Sequence, residues 1–207
     1  MSEYWNEIVT VKSWEKLLEI AKEFDVTVIG GWAVYLWTKQ HKSKDIDVVV
    51  DYTSLEKLRA TFNLAKNDRL NKYEVKFEQF DMDIYVPHYS KLELPVEILL
   101  ENTVVINGVK TISAENLLIL KQGAERDRKN TIKGKKDAID IISLLLYAVD
   151  LEEYFKTLKK HSKLHLLIEL TRVIREFDNK DSHYVGKTFK QISQWKKETL
   201  EKIRNVK

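Results

Sequence analysis

The sequence predicts an α+β fold with a helical C-terminal extension, and three observations lead to that class. Helical and strand patterns alternate as far as residue 112. Two apolar segments carry acidic residues at every second position, which is typical of strands with one buried face. Beyond Ser113, apolar residues follow helical spacing only. We therefore predict a core over residues 1–112 and a helical region over 113–207 that completes and extends it.

The first elements are a helix, a strand and a second helix. Apolar residues at helical spacing predict a helix that Ser13 caps and that ends near Phe24. A short apolar strand over residues 26–29 follows and breaks on Gly30-Gly31. The second helix is expected over residues 31–39.

The segment 45–51 alternates carboxylates with β-branched residues. Because side chains alternate between the faces of a strand, Asp45 and Asp47 share one face with Val49 and Asp51. Neighbouring carboxylates repel and lose hydration when buried, and a divalent cation would remove both costs. The chain has no cysteine, so its metal ligands must be oxygen or histidine, which favours Mg²⁺ or Mn²⁺.

A second acidic strand is expected after one more helix. Residues 53–56 resemble a capping box, which predicts a helix that ends near Phe62. Period-two patterning returns over residues 73–86, where Asp81 and Asp83 share a face opposite an apolar one.

The remaining elements are a hairpin and a series of helices. Asn107-Gly108 suits a two-residue type I′ turn between strands over 103–106 and 109–111. Helices are then predicted over residues 114–128, 135–148, 151–160, 163–177 and 187–204.

The order of these motifs resembles a known superfamily. The run Ile29-Gly30-Gly31, a spacer of about a dozen residues and then Asp45-Ile46-Asp47-Val48 is similar to the signature of the DNA polymerase beta-like nucleotidyltransferases. The resemblance implies a small mixed sheet flanked by helices. It also implies transfer of a nucleoside monophosphate from an NTP such as ATP to an acceptor hydroxyl, with release of pyrophosphate.

Further motifs resemble the branch of small antibiotic nucleotidyltransferases and abortive-infection toxin enzymes. They are Gly30-Gly31-Trp32-Ala33, Lys44-Asp45-Ile46-Asp47, Asp83-Ile84-Tyr85-Val86-Pro87, the run from Glu115 to Lys121, and the run from Lys136 to Asp140. The resemblance covers roughly residues 26–146. One departure is Gly31, where many relatives carry a serine.

The resemblance assigns the catalytic residues and the ligands of two metal ions to Asp45, Asp47 and Asp83. Asp81 shares a face with Asp83 and is the fallback for the third carboxylate. Two cations can activate the attacking hydroxyl and stabilise the leaving pyrophosphate. The third carboxylate would assist deprotonation of the acceptor.

Nucleotide binding is assigned to glycines and cations. Gly30 and Gly31 let the backbone and a helix N-terminus approach phosphate. Because Gly31 lacks a hydroxyl, we expect Ser43 or Lys44 to supply the missing contact. In relatives the helix that carries Lys121 often supplies a cation toward the triphosphate.

The acceptor stays open between several classes. Residues 151–207 carry 14 Lys and Arg against 8 Asp and Glu, which favours RNA, such as a tRNA end, or reflects solvated lysine-rich helices. A small polyol or aminoglycoside-like molecule and a protein side chain are alternatives. A non-catalytic nucleotide-binding or nucleic-acid-binding module on the same fold is the competing function.

The expected setting is the cytoplasm, without a membrane partner. No run of about 18 apolar residues occurs, and residues 1–7 lack the basic and apolar regions of a signal peptide. An antitoxin partner or a homo-oligomer remains open.

Overall fold

The computed structural model describes residues 7–205. The strands are β1 Thr27–Ile29, β2 Ile46–Val49, β3 Ala65–Asn67, β4 Lys72–Lys76, β5 Asp81–Tyr85, β6 Thr103–Ile106 and β7 Val109–Ile112. The helices are α1 Glu7–Glu23, α2 Gly30–Thr38, α3 Tyr52–Thr61, α4 Val96–Glu101, α5 Ala114–Asp127, α6 Ile132–Tyr147, α7 Leu151–Lys160, α8 Leu166–Glu176 and α9 Phe189–Asn205. A 3₁₀ helix, Asn179–Val185, precedes α9.

The described strands form one mixed sheet with the order β3-β4-β5-β2-β1-β7-β6. β2 is parallel to β5 and antiparallel to β1, and β1 is parallel to β7. The remaining pairs, β3-β4, β4-β5 and β6-β7, are antiparallel. This mixed sheet flanked by helices confirms the α+β prediction.

The core lies between the sheet and the helices that cover it. The apolar residues of β2 and β5, such as Ile46 and Ile84, are fully buried. Trp32 of α2 is also fully buried, and its indole N–H donates to the Ser13 hydroxyl at 2.9 Å. α2 packs against α5 and α6, so the C-terminal helices are joined directly to the element that follows Gly30-Gly31.

Two predicted helix caps are wrong. Ser13 lies inside α1, where its buried hydroxyl is used by Trp32 instead of by a helix terminus. α3 is capped by Asp51, whose carboxylate accepts the backbone N–H of Ser54 at 2.7 Å, and not by the motif over residues 53–56. The Asp51 carboxylate therefore caps α3 and does not extend the acidic face of β2.

The second acidic segment is a hairpin instead of one long strand. β4 and β5 pair in antiparallel fashion, and the turn between them is closed by a bond from the Phe77 N–H to the Phe80 carbonyl at 2.9 Å. β3, which the sequence did not predict, adds an edge strand.

The Asn107-Gly108 hairpin is confirmed, because both residues have positive φ, 52° and 79°, as a type I′ turn requires.

The helical region after residue 113 is also confirmed, with small shifts in its bounds. Ser113 caps α5 by accepting the Asn116 N–H. Thr131 caps α6, which begins at Ile132, three residues before the predicted start at residue 135. The division at residue 112 stays a prediction, and its outer bounds lie outside the described residues. None of the helices in residues 7–205 combines the length and apolar character needed to span a bilayer.

Candidate active site

Two of the predicted catalytic carboxylates face each other across neighbouring strands. Asp47 of β2 is in register with Asp83 of β5, and residues paired in this way point to the same face of a sheet. Asp45 lies just before β2, where its carboxylate accepts the backbone N–H of Asp81 at 3.4 Å. Asp45, Asp47 and Asp83 line one cavity, and we call them the carboxylate wall.

Gly30 places backbone directly against this wall. Its φ is +66°, and a Cβ at this position would lie 2.1 Å from Oδ2 of Asp47. Only glycine satisfies both constraints, because other residues disfavour positive φ and none could avoid the contact. Asp47 therefore packs on the first turn of α2, where backbone N–H groups have no partner within the helix.

The space beside Gly31 is taken by Ser43. A Cβ on Gly31 would lie 2.5 Å from the Ser43 hydroxyl oxygen, and Ser43 is buried. A serine at position 31 would collide with that side chain. Lys44 is exposed and does not belong to the cavity lining. Nucleotide binding by Ser43 and Lys44 stays a prediction.

The cavity has a volume of about 690 Å³, within the range of roughly 300–1,000 Å³ that is usual for small-molecule sites. Gly30 and Gly31 line it, together with a strap between β5 and α4 that contributes Lys91, Leu92 and Glu93. α5, α6 and the turn between them supply a second set of charges, which we call the cationic wall: Lys121, Arg126, Arg128, Lys133 and Lys136.

Burial and mutual repulsion perturb the paired carboxylates. Burial raises the pKa of Asp47 to about 7, and Asp83 adds to the rise, whereas Lys121 opposes it. Burial also raises the pKa of Asp83, although its hydrogen bond with Lys72 acts in the other direction. Both shifts have the same main cause, because burial disfavours the charged form of a carboxylate.

Lys121 is buried and held by two acids of α6. Its ammonium lies 2.6 Å from Asp140 and 3.2 Å from Asp137, and Asp137 also binds Arg128 at 2.7 Å. Burial alone would lower the pKa of Lys121, but Asp140 and Asp137 outweigh it and raise the pKa. Lys121 is therefore a fixed, charged group in the cavity lining. Its contact with a triphosphate stays a prediction.

Sequence reasoning missed Lys72 and gave Tyr85 no role. Lys72 of β4 is only 9% exposed, and its ammonium lies 2.5 Å from Asp83. Tyr85 follows Asp83 on the same face of β5, where burial, with Asp47 and Asp83 nearby, raises the pKa of its phenol. The alternation of Lys72 and Glu74 indicates that their side chains share one face of a strand. The residues of β5 that they meet could not be assigned, because that register depends on where the hairpin turn lies.

The donor set of the carboxylate wall fits a hard divalent cation such as Mg²⁺ or Mn²⁺. Carboxylate oxygens are the preferred ligands of these ions, and Mg²⁺ usually takes one or two of them beside substrate phosphates and water. A cation would offset the burial that raises the pKa of Asp47. As the side chains stand, residues 7–205 contain no group of three or more His, Cys, Asp and Glu placed to hold an ion.

Comparison with known proteins identifies the fold. No protein-family model matches the chain, and no curated protein is significantly similar in sequence. A solved candidate nucleotidyltransferase from Helicobacter pylori is 16% identical with a TM-score of 0.53, over 96% of this chain and 99% of that one. An antigenic nucleotidyltransferase-like protein from Paracoccidioides brasiliensis is 18% identical with a TM-score of 0.50, over 89% of this chain and 95% of that one. This is a nucleotidyltransferase-like fold.

At these identities the likeness shows the fold alone. The predicted architecture is therefore confirmed, whereas membership of the superfamily and of its toxin-type branch stays a prediction. Whether the chain catalyses nucleotidyl transfer has to be argued from its own side chains.

Proposed function

We propose that the protein is a metal-dependent nucleotidyltransferase that moves a nucleoside monophosphate from an NTP such as ATP to an acceptor hydroxyl. The observation that carries the proposal is the pairing of Asp47 with Asp83 beside Gly30. This pairing puts two carboxylates next to a helix N-terminus that can receive phosphate. The nucleotidyltransferase-like fold of the whole chain agrees with it.

Each wall of the cavity has a distinct task in this reaction. Asp45 and Asp47 would bind Mg²⁺ or Mn²⁺ with Asp83 beside them, and Gly30 and Gly31 would bring backbone N–H groups to the phosphates. Lys121 would stabilise the charge that develops on the leaving pyrophosphate. When bound, the divalent cation supplies charge neutralisation for the triphosphate and acidifies the attacking hydroxyl.

The transfer itself exchanges one P–O bond for another. The acceptor oxygen forms a bond to the α-phosphorus while the bond to the bridging α–β oxygen breaks, and pyrophosphate leaves with that electron pair. The proton of the acceptor hydroxyl would pass to Oδ1 of Asp83, since Oδ2 already binds Lys72.

RNA is the acceptor that the charge distribution favours. Residues 151–207 have a surplus of basic residues, and the exposed Arg126 and Lys133 extend positive charge to the cavity. Such a surface attracts a phosphate backbone. In this proposal the attacking group is a terminal hydroxyl of RNA, and an antitoxin would be a partner that regulates it.

An unbiased transfer assay tests the proposal. The protein is incubated with Mg²⁺, each α-labelled NTP in turn, and a mixture of total RNA, small polyols, aminoglycosides and an unrelated protein. We expect label in RNA and release of pyrophosphate, with a loss of at least about 100-fold in Asp47→Asn. Asp81→Asn is the control, because Asp81 is an exposed aspartate at the start of β5, the strand that carries Asp83, and this variant should retain activity.

The outcomes separate the alternatives. Label in a small molecule or a protein would retain the reaction and replace the acceptor. NTP binding without transfer to any acceptor would favour a non-catalytic nucleotide-binding module. Absence of both metal-dependent NTP binding and transfer would refute the proposed function.

A further inference from the structure

Lys72 lies beside the carboxylate wall, and its place in the strand does not by itself explain why its side chain is buried. It is the first residue of β4, the strand next to β5, and its side chain reaches Asp83. The ammonium lies 2.5 Å from Oδ2 of Asp83 and 3.0 Å from Oε1 of Glu74. A strand position near a sheet edge would ordinarily leave a lysine in solvent. Here its side chain is only 11% exposed.

The lysine is fixed from both sides. Glu74 is in register with Asp83, and it also accepts a hydrogen bond from the Asn67 amide at 2.9 Å. The Lys72 ammonium therefore lies between the carboxylates of Asp83 and Glu74, and both hold it beside the carboxylate wall.

The position of the Lys72 ammonium reduces the number of divalent ions that the site needs. Asp83 is the carboxylate that, by resemblance, would bind the second of two ions. A divalent ion placed at Asp83 would lie beside the Lys72 ammonium, and like charges at such a distance repel strongly in a partly buried site. Asp45 and Asp47 are sufficient for one ion, since Mg²⁺ usually takes one or two carboxylates from a protein.

We propose that the Lys72 ammonium is a built-in cation at Asp83, and that the chain consequently binds one divalent ion, at Asp45 and Asp47, instead of two. This inference rests on the proposed function, because it concerns the cations of the same site. Lys72 neutralises Asp83 and orients it, so it is a positioning residue. Removing its charge frees Asp83 and makes room for a second ion.

Counting bound Mn²⁺ tests the proposal without relying on activity. The full chain is freed of metal and titrated with Mn²⁺ alone, and free Mn²⁺ is measured by electron paramagnetic resonance. We expect one ion per wild-type chain and two in Lys72→Met. Lys72→Arg keeps the positive charge and should bind one. Lys76→Met is the matched control, because Lys76 is an exposed lysine of the same strand, and it should also bind one.

The counts distinguish failure of this inference from failure of the proposed function. Two ions in the wild type, or one ion in a folded Lys72→Met, overturn the inference and leave the nucleotidyltransferase proposal standing. No ion in any variant overturns the inference, and the labelled-NTP assay then decides whether the proposed function stands. Circular dichroism checks folding, and Lys72→Gln, which keeps a hydrogen-bond donor, replaces the methionine variant if that variant does not fold. The wild-type count can overturn the inference by itself.

Discussion

The carboxylate wall of the cavity is carried by the sheet, whereas the cationic wall is carried by α5, α6 and the turn between them. Asp47 and Asp83 sit at paired positions of β2 and β5, so backbone hydrogen bonds fix their separation. Lys121 reaches the cavity through a flexible side chain that Asp137 and Asp140 hold in place. The first wall is set by strand register and the second by ion pairs, so the two should fail under different substitutions.

Removing a partner of Lys121 should have the largest effect on stability. Asp140→Asn leaves a buried ammonium with one carboxylate fewer, and breaking a buried ion pair in this way costs about 3 kcal/mol of unfolding free energy. Urea denaturation measures the loss. Asp127→Asn is the control, because the Asp127 side chain is 73% exposed, and it should change stability by less than about 0.5 kcal/mol. Similar losses in the two variants would mean that the α6 acids do not support the cationic wall.

Filling the space at Gly30 should disturb the carboxylate wall. Gly30→Ala combines strain at φ +66° with a collision against Asp47, for a cost of about 2 kcal/mol and a loss of Mn²⁺ binding. Gly108→Ala has a similar φ of +79° but nothing within 4 Å of the added Cβ, so it isolates the backbone strain at about 1 kcal/mol. Chemical denaturation and Mn²⁺ titration compare the two. Equal Mn²⁺ binding in both variants would show that Asp47 tolerates displacement.

The strap between β5 and α4 has a buried charged anchor, Glu93, that can be removed. Glu93 accepts from Arg126 at 2.7 Å and from Lys163 at 2.9 Å, and its side chain is 8% exposed. Glu93→Gln should cost about 1–2 kcal/mol and speed hydrogen exchange over residues 87–95, because both charged contacts weaken. Glu101→Gln, at the exposed end of α4, serves as the control. Unchanged exchange in the strap would show that packing alone holds it.

The smallest expected effect is at the end of β2, where Asp51 caps α3. The Ser54 N–H stabilises the charged form and lowers the pKa of Asp51 below its ordinary value. The cap's contribution is therefore present above the unfolded pKa, near 4, and is lost as the pH falls through the lower folded pKa. Asp51→Ala should cost about 1 kcal/mol at pH 7 and less at acidic pH, measured by urea denaturation across that range. A loss that stays constant down to pH 2 would contradict the role of the charge.

Local sequence signals predicted much of the fold. The Asn107-Gly108 turn follows from two residues that tolerate positive φ, and α5 follows from apolar residues at helical spacing. The sequence failed where a local signal competed with a distant partner. Ser13 resembled a helix cap, but it is a buried partner of Trp32, which lies 19 residues away along the chain.

By itself, the sequence determined which chemical groups are present and on which kind of element each lies. Gly30-Gly31 marks a strand-to-helix turn, and the alternation of Asp45 and Asp47 with β-branched residues marks an acidic strand, because both patterns follow from backbone geometry within a few residues. Only the tertiary structure decided that Asp47 faces Asp83, that Lys72 binds Asp83 and that Asp140 holds Lys121. These contacts join separate elements, so they depend on strand register and helix packing, which no local pattern specifies.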